Sequence, residues 1–599
     1  MRSSSIRPKV LRRASLCASL LSLLAAPGVA NAAVGPGIGN MECGDAEYFK
    51  PFKFIENPTP GPNGTNVAIM IRGYFMTIFA PDSGKPPGEI GLYDVSNPKD
   101  AKEVRHIENG DTNNFRESHS LPVALINGKH IIAIQSIKGI QFWDFTDPMT
   151  ASKIGNIDLP GVNGGDYEDV AWQTSWQGRY LYVSGGNRGI YVVDAGDPTN
   201  PKLLKQVQTS SSGGFRVGPL FALGDYLVIS NMDQGGAYAV LDISVPDEPA
   251  LLAQRGNAPR MYAIAVGAND RIYTAGRDGN FLIHSFSDPT KIELVKNAMI
   301  GQDQLYAAVQ DQYVFLGRQN NVIKVDVTDE QNPKVVGEGT LNRDHPDHGQ
   351  VTPMGNLIYI GNDHGTGSAF FCHQKGKDVT PLAVQSTYPK DGTSGVPSTS
   401  RVSILFSDYV DLETLTPDSV KVRPAGGEPL DGIFTYAFNA LSFGPSEPLA
   451  ADTTYEVVLA ADGLRDIMGN ALTEEVIFRF STGDSIVIPP PPEPEEPATG
   501  GSGGAGAGGS GIAGAPSSTG GSGAAGGAPA GTGGAPQATG GSGALGGATG
   551  GTGAPQASPS SSEGSCSVSV PGGRASSFGA AFALLSAALL RLRRGSRRA

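Results

Sequence analysis

One pattern recurs between Cys43 and Lys377: Gly-apolar-x-apolar-apolar-Asp-apolar-Ser/Thr-Asp/Asn-Pro. It reads Gly91-Leu92-Tyr93-Asp94-Val95-Ser96-Asn97-Pro98, then Phe142-Trp143-Asp144-Phe145-Thr146-Asp147-Pro148, then Tyr191-Val192-Val193-Asp194-Ala195-Gly196-Asp197-Pro198. Weaker copies are Val240-Leu241-Asp242-Ile243-Ser244, Leu282-Ile283-His284-Ser285-Phe286-Ser287-Asp288-Pro289 and Ile323-Lys324-Val325-Asp326-Val327-Thr328-Asp329. The apolar residues read as a strand, because β-branched and aromatic side chains suit a pleated, half-buried backbone. The Asp–Pro step reads as its turn: Asp accepts backbone N–H groups and Pro presets φ. His284-Ser285 replaces the Asp of the fifth copy, and a seventh unit has Phe370-Phe371-Cys372-His373 instead.

A second strand precedes each copy or stands in its place. These runs are Tyr74 to Ala80, His130 to Ile134, Tyr180 to Ser184, Tyr226 to Ser230, Arg271 to Ala275, Tyr313 to Gly317 and Leu357 to Gly361. All-β repeats spaced by about 40–50 residues mean a propeller with four strands per blade. Seven second strands predict seven blades over residues 43–377. The Asp-Val/Ile-Ser/Thr-Asp-Pro step resembles the LVIVD repeat family of bacterial surface and periplasmic propellers. That resemblance implies a fold and no settled activity.

Both ends read as addresses. Arg2, Arg7, Lys9, Arg12 and Arg13 precede the short apolar run Leu16 to Ala26, and Ala30-Asn31-Ala32 is a small-x-small cleavage site. This is a secretion signal over residues 1–32, cut between Ala32 and Ala33. At the other end Cys566 precedes the apolar run Phe578 to Leu590, followed by Arg591, Arg593, Arg594, Arg597 and Arg598. A short apolar helix with a basic stop holds its end at the cytoplasmic face. This 566–599 segment resembles the myxobacterial C-terminal sorting signal, which implies processing or lipidation at Cys566. Before it lies a Pro-rich then Gly/Ala/Ser-rich stretch, 485–565. Of the 82 glycines, 26 lie between Gly500 and Ser565. Such a stretch cannot bury enough apolar surface to offset its ordering entropy, so disorder is expected.

The seventh blade lacks a fourth strand before Lys377. Phe52 to Ile55 can supply it, and that closure removes the open sheet edges. It brings Cys43 toward Cys372. The chain has four cysteines; once Cys17 leaves with the signal and Cys566 is modified, these two remain. An exported pair at the ends of a ring reads as a structural disulfide.

Residues 380–484 form a different unit, with short alternating strands that predict a β-sandwich. Tyr388-Pro389-Lys390-Asp391-Gly392, Thr453-Thr454-Tyr455, Asp466-Ile467-Met468-Gly469-Asn470 and Phe480-Ser481-Thr482-Gly483 resemble the hallmarks of the bacterial Ig-like domain. The resemblance implies a domain that spaces or presents others, with Asp466 and Asn470 capping a turn.

Within residues 43–484 there is no Gly-x-Ser-x-Gly, His-Glu-x-x-His, phosphate loop or Cys-x-x-Cys, so no catalytic, cofactor-binding or metal-ligating residue is assigned. His119, His345, His348 and His364 stand at or near blade-entry loops, which converge on one mouth of a propeller. Glu117, Glu168, Asp169, Arg216, Arg260 and Gln304 occupy like positions. Imidazoles and carboxylates together can hold a divalent ion, but a polar, water-filled mouth accounts for them, and no site is assigned. Of the tryptophans, Trp143 lies on a motif strand and belongs in the core, while Trp172 and Trp176 fit core or surface alike.

With a net charge of −13 the chain is no polycationic nucleic-acid binder. The expectation is an exported, cell-surface binding or scaffolding protein, all-β, held at the membrane through its C-terminus. A protein or glycan of the envelope is the expected partner. The alternative is an envelope enzyme using the polar channel mouth.

Overall fold

A computed structural model describes residues 34–56, 64–80, 88–233, 235–276, 279–301, 304–318, 321–341, 349–362 and 368–488. The signal with Ala32 and Ala33, the tail from residue 489 on with Cys566, and His345, His348 and His364 lie outside the described residues.

The repeat builds a ring of seven four-stranded antiparallel units. Blade 1 is Gly64–Ile71, Tyr74–Ala80, Glu89–Asp94 and Lys102–Glu108; blade 2 is Val123–Ile126, Lys129–Ser136, Gly139–Asp144 and Ser152–Asp158. Blades 3 to 6 span Thr174–Val207, Val217–Ala258, Ala265–Met299 and Gln304–Thr340 in the same order. The first strands are buried and touch their neighbours around the ring, while the fourth strands face outward.

Each motif strand is the third of its blade, and its terminal Asp works as expected. Asp94 Oδ1 accepts from Ser96 N at 2.9 Å, Asp144 Oδ1 from Thr146 N at 3.0 Å and Asp326 Oδ1 from Thr328 N at 2.9 Å. In blade 5 the Ser285 hydroxyl takes this role toward Ser287 N. Just before this residue the register to the fourth strand slips in each of blades 1 to 6. A bulge there bends the strand and strengthens its twist.

Blade 7 is Val351–Met354, Leu357–Ile360, Ser368–Cys372 and, as fourth strand, Lys53–Ile55. Lys53 pairs with Phe370 and Ile55 with Ser368. Cys43 and Cys372 are disulfide-bonded, with Cα atoms 6.0 Å apart. The ring therefore closes as its missing strand implies.

The sandwich has one sheet of Val384–Tyr388, Val402–Phe406, Ala440–Pro445 and Gly432–Ala437, and another of Val420–Pro424, Thr454–Leu459 and Val476–Ser481. It is not a detached spacer. Phe434, Thr435 and Tyr436 pair with Leu125, Ala124 and Val123, so one eight-stranded sheet runs from the sandwich through blade 2. Ile132 and Ile134 of blade 2 share one buried cluster with Ile404, Leu441 and Val457 of the sandwich.

The sandwich covers one face of the ring by touching the turns between the first and second strands. Arg72 of blade 1 pairs with Glu413. In blade 3, Thr435 Oγ1 donates to Trp176 O at 2.6 Å; in blade 4, Gly224 N donates to Ser403 Oγ at 2.8 Å. Tyr388 donates to Asp270 of blade 5 at 2.6 Å, Asp311 N of blade 6 to Ser407 O at 2.7 Å, and Gly355 N of blade 7 to Asp408 at 3.1 Å. At Gly178 (φ +56°) a Cβ would stand 2.7 Å from Gly444 Cα, so only glycine allows this approach.

Candidate functional site: the open mouth of the ring

The blade-entry loops meet at the opposite face. Those before blades 2, 3, 4 and 5 carry Arg116, Glu117 and His119, then Tyr167 and Trp172, then Arg216, then Arg260 and Tyr262. Tyr306 comes from the first strand of blade 6. Side chains from blades far apart in sequence touch here because the loops converge on the ring axis.

At the centre the His119 ring lies between Trp172 (centroids 3.9 Å, planes 16° apart) and Tyr306 (5.9 Å, 17°). Tyr262 meets Trp172 edge-on at 5.0 Å and Tyr306 at 5.6 Å, and its carbonyl accepts from Trp172 Nε1 at 3.1 Å. His119 Nδ1 lies 3.0 Å from Trp172 O, which can only accept, so Nδ1 carries the proton. Nε2 stands 2.8 Å from Glu117 Oε1, off the line of a hydrogen bond. His119, Trp172 and Glu117 are all buried.

Arg116 is the unusual member. Its side chain is 1% exposed, its guanidinium lies 5.7 Å over the Trp172 ring, and Nη1 is 3.7 Å from Glu117 Oε2. Neither Nε nor Nη1 has a hydrogen-bond partner. A buried donor left unpaired costs about 1–3 kcal/mol, more when charged. Arg260 stacks on Tyr167 and Tyr262, at 5.7 and 4.9 Å, and bonds both hydroxyls; its Nε is also buried and unpaired. Arg216 makes a bidentate pair with Asp233, at 2.7 and 2.5 Å, leaving Nη1 without a hydrogen bond. Unused guanidinium donors over aromatic faces form a surface suited to an anionic group.

Of the residues marked from sequence, Glu117 and His119 meet at the centre, and Arg216 and Arg260 flank them. Glu168 lies 3.5 Å from Arg216, and Asp169 pairs with Arg188 at 2.5 Å. The Gln304 side chain is outside the described residues, like the three other histidines. Trp172 belongs to the mouth, but Trp176 packs on Phe142 and Trp143 on Phe115 in the blade cores. Arg116, Tyr167, Tyr262 and Tyr306 were not marked. Their signal was a recurrence of aromatic and arginine residues at blade entries.

Among the described residues, three carboxylates come within 4.8 Å of one another at the covered face, not at the mouth: Asp378, Asp408 and Asp466. Burial and Asp466 hold Asp408 well above the usual carboxylate range. Burial pushes Asp466 up to about 6. Asp466 Oδ1 accepts from Met468 N and Asn470 N, each at 2.9 Å, the turn cap expected of it. Asp408 accepts from Gln310 of blade 6 at 2.7 Å and from Gly355 of blade 7. These carboxylates join the two domains.

No curated protein matches the chain. Among solved structures, the β-propeller domain of Cps50 (Swd1) from Myceliophteria thermophila is 11% identical, with a TM-score of 0.37, covering 53% of this chain and 99% of that one. BamB from Moraxella catarrhalis is 12% identical, with a TM-score of 0.32, covering 51% and 83%. The computationally designed Ika8 protein is 11% identical, with a TM-score of 0.36, covering 54% and 99%. The ring here is established by its own sheet order. Two family models match: residues 165–209 as LVIVD repeat, residues 378–482 as bacterial Ig-like domain. The chain thus carries an LVIVD repeat within its propeller and, docked on it, a bacterial Ig-like domain.

Proposed function

We propose that this chain is an exported binding module, held at the cell surface through its C-terminal segment, that takes an anionic group of an envelope protein or glycan at the open mouth. The observation that carries the reading is Arg116, a buried guanidinium whose Nε and Nη1 have no partner. A fold keeps such a group at a cost in stability where a ligand uses it. The sandwich occupies the other face, so the mouth is the face it leaves uncovered. The enzyme alternative draws on Glu117 and His119. Both His119 nitrogens already face groups of this chain, which favours a binding role.

The test uses a protein spanning residues 33–488 and oligosaccharides of known charge. Uronate oligomers should bind and neutral glucose oligomers should not, by calorimetry. Arg260→Ala should weaken binding about tenfold, the value of one charge-assisted hydrogen bond. Equal binding of charged and neutral oligomers, or none of either, overturns the anion reading. The address is checked separately: surface protein should begin at Ala33 and lack Arg593 to Ala599 by intact mass. Finding that arginine cluster on the mature surface form refutes processing at Cys566.

A further inference from the structure

Beside the covered face, blade 2 and the sandwich enclose a cleft of about 500 Å³. Its back is the junction between domains, where Phe434 pairs with Leu125. Its walls are Leu415, Val422, Leu430 and Phe443. Leu415, Leu430 and Phe434 are only partly buried, so apolar surface stays open to the cleft. The volume falls within the range of small-molecule sites, which are apolar with a few convergent polar groups.

Arg72, His130 and Glu413 are among the cleft's polar groups, with Thr416, Lys421 and Asp431 also in the lining. Arg72 Nη1 pairs with Glu413 Oε2. Glu413 Oε1 has no hydrogen-bond partner, and neither has either ring nitrogen of His130, which is 7% exposed. His130 Nε2 and Glu413 Oε1 are 3.7 Å apart, too far for a hydrogen bond. Burial, with Arg72 beside it, lowers the His130 pKa to about 4, so the ring is neutral near pH 7 and offers one donor and one acceptor.

We propose that this cleft binds a small molecule with an aliphatic body and a neutral hydroxyl head, its oxygen placed between His130 and Glu413. The head-group chemistry follows from the charges. A hydroxyl donates to Glu413 Oε1 and accepts from the imidazole N–H at once. A carboxylate meets Glu413 Oε1, which only accepts. An ammonium meets the Arg72 guanidinium. An aliphatic body suits these apolar walls, Leu415, Val422 and Leu430 with Phe443. The walls come from the sandwich and the rest of the lining includes Leu125, Gly128 and His130 of blade 2, so the ligand also ties the sandwich to blade 2 by mass action. This site lies on the sandwich side of the ring and does not rest on the reading of the mouth.

The experiment titrates the full mature chain with 1-octanol, octanoate and octylamine, read by calorimetry. Octanol should bind saturably, about one per chain and at least about tenfold tighter than either charged homologue. Leu415→Trp fills the cleft from the sandwich side and should weaken octanol by about tenfold or more. Leu430→Trp does the same from the loop before the Gly432–Ala437 strand if Leu415→Trp folds poorly. His130→Phe keeps the ring and should erase the preference for octanol over octylamine. Three results overturn the proposal: no saturable octanol binding, equal or tighter binding of a charged homologue, or octanol affinity unchanged in both tryptophan variants.

Discussion

The two faces of the ring are made of the same kind of part, short turns and loops between blade strands, yet one is docked on the sandwich and the other is not. At the covered face nearly every turn has found a partner in the sandwich, as with Gly224 on Ser403, Asp270 on Tyr388 and Asp311 on Ser407. At the open face Arg116 and Arg260 keep buried nitrogens with nothing to bond. Unpaired buried donors are rare in native folds because each is costly. One face is an intramolecular interface; on the reading proposed above, the other is left for a group outside the chain. The contrast shows that identical repeats acquire different roles through what their loops meet, not through the motif.

The strongest way to break the comparison is to open the ring that both faces share. The Cys43–Cys372 bridge closes a loop with a sequence separation of 329. Chain entropy puts its removal at about 5–6 kcal/mol, an upper figure. Cys43→Ser should therefore lower the urea midpoint of the whole body, sandwich included. A sandwich of its own would be indifferent, since no cysteine lies in it. Here one sheet and one buried cluster cross from blade 2 into it, so the transitions should stay merged. Two separated transitions, with the sandwich unmoved, would show that the covered face is only a loose contact.

A smaller effect sharpens the covered face by pH. Asp311, in the blade 6 turn, has its pKa raised from 3.8 to about 6 by burial and by Asp378. Its folded pKa is above its unfolded one. Its contribution is thus favourable below about pH 4 and is lost as pH rises through 6, by about 2–3 kcal/mol for a shift of this size. Asp311→Asn keeps the shape and suits the backbone there (φ +51°). The variant should match the parent near pH 4 and exceed it at pH 7.5, by urea unfolding at both. An equal difference at both values means Asp311 ionises freely in the docked state.

Much of this frame is legible from residues alone, and the part that is not has a physical reason. The Asp that ends each third strand announces itself because a turn needs an acceptor there, as Asp94 and Asp326 show. The closing strand is legible because a blade lacking its edge has one candidate, Lys53–Ile55. The union of sandwich and propeller is not. Val123 to Leu125 and Phe434 to Tyr436 join through main-chain bonds, which carry no side-chain signature. The mouth is legible in half. Glu117 and His119 stand out as buried-type positions holding titratable groups. Tyr262 and Tyr306 read as ordinary core, since an aromatic residue near a strand almost always is. Only convergence in space sets them around His119.

The last and smallest effect is expected at the mouth. Arg116 and Glu117 are both buried, at 1% and 3% side-chain exposure, and 3.7 Å apart at their closest charged atoms. That separation gives some attraction but no hydrogen bond between them, so the desolvation of the Arg116 charge is poorly repaid. Removing one partner alone would strand the other charge, which is costly for reasons unrelated to function. Replacing both together by neutral groups of similar shape is often neutral or stabilising. Arg116→Met with Glu117→Gln should therefore change unfolding free energy by no more than about 1 kcal/mol while abolishing uronate binding. The covered face offers the control at its paired groups, such as Gly224 with Ser403 and Asp270 with Tyr388, whose loss should show in stability. If the double variant instead loses several kcal/mol, the pair is a structural rivet of the ring. The two faces would then differ only in what finishes their hydrogen bonds, the chain itself or water.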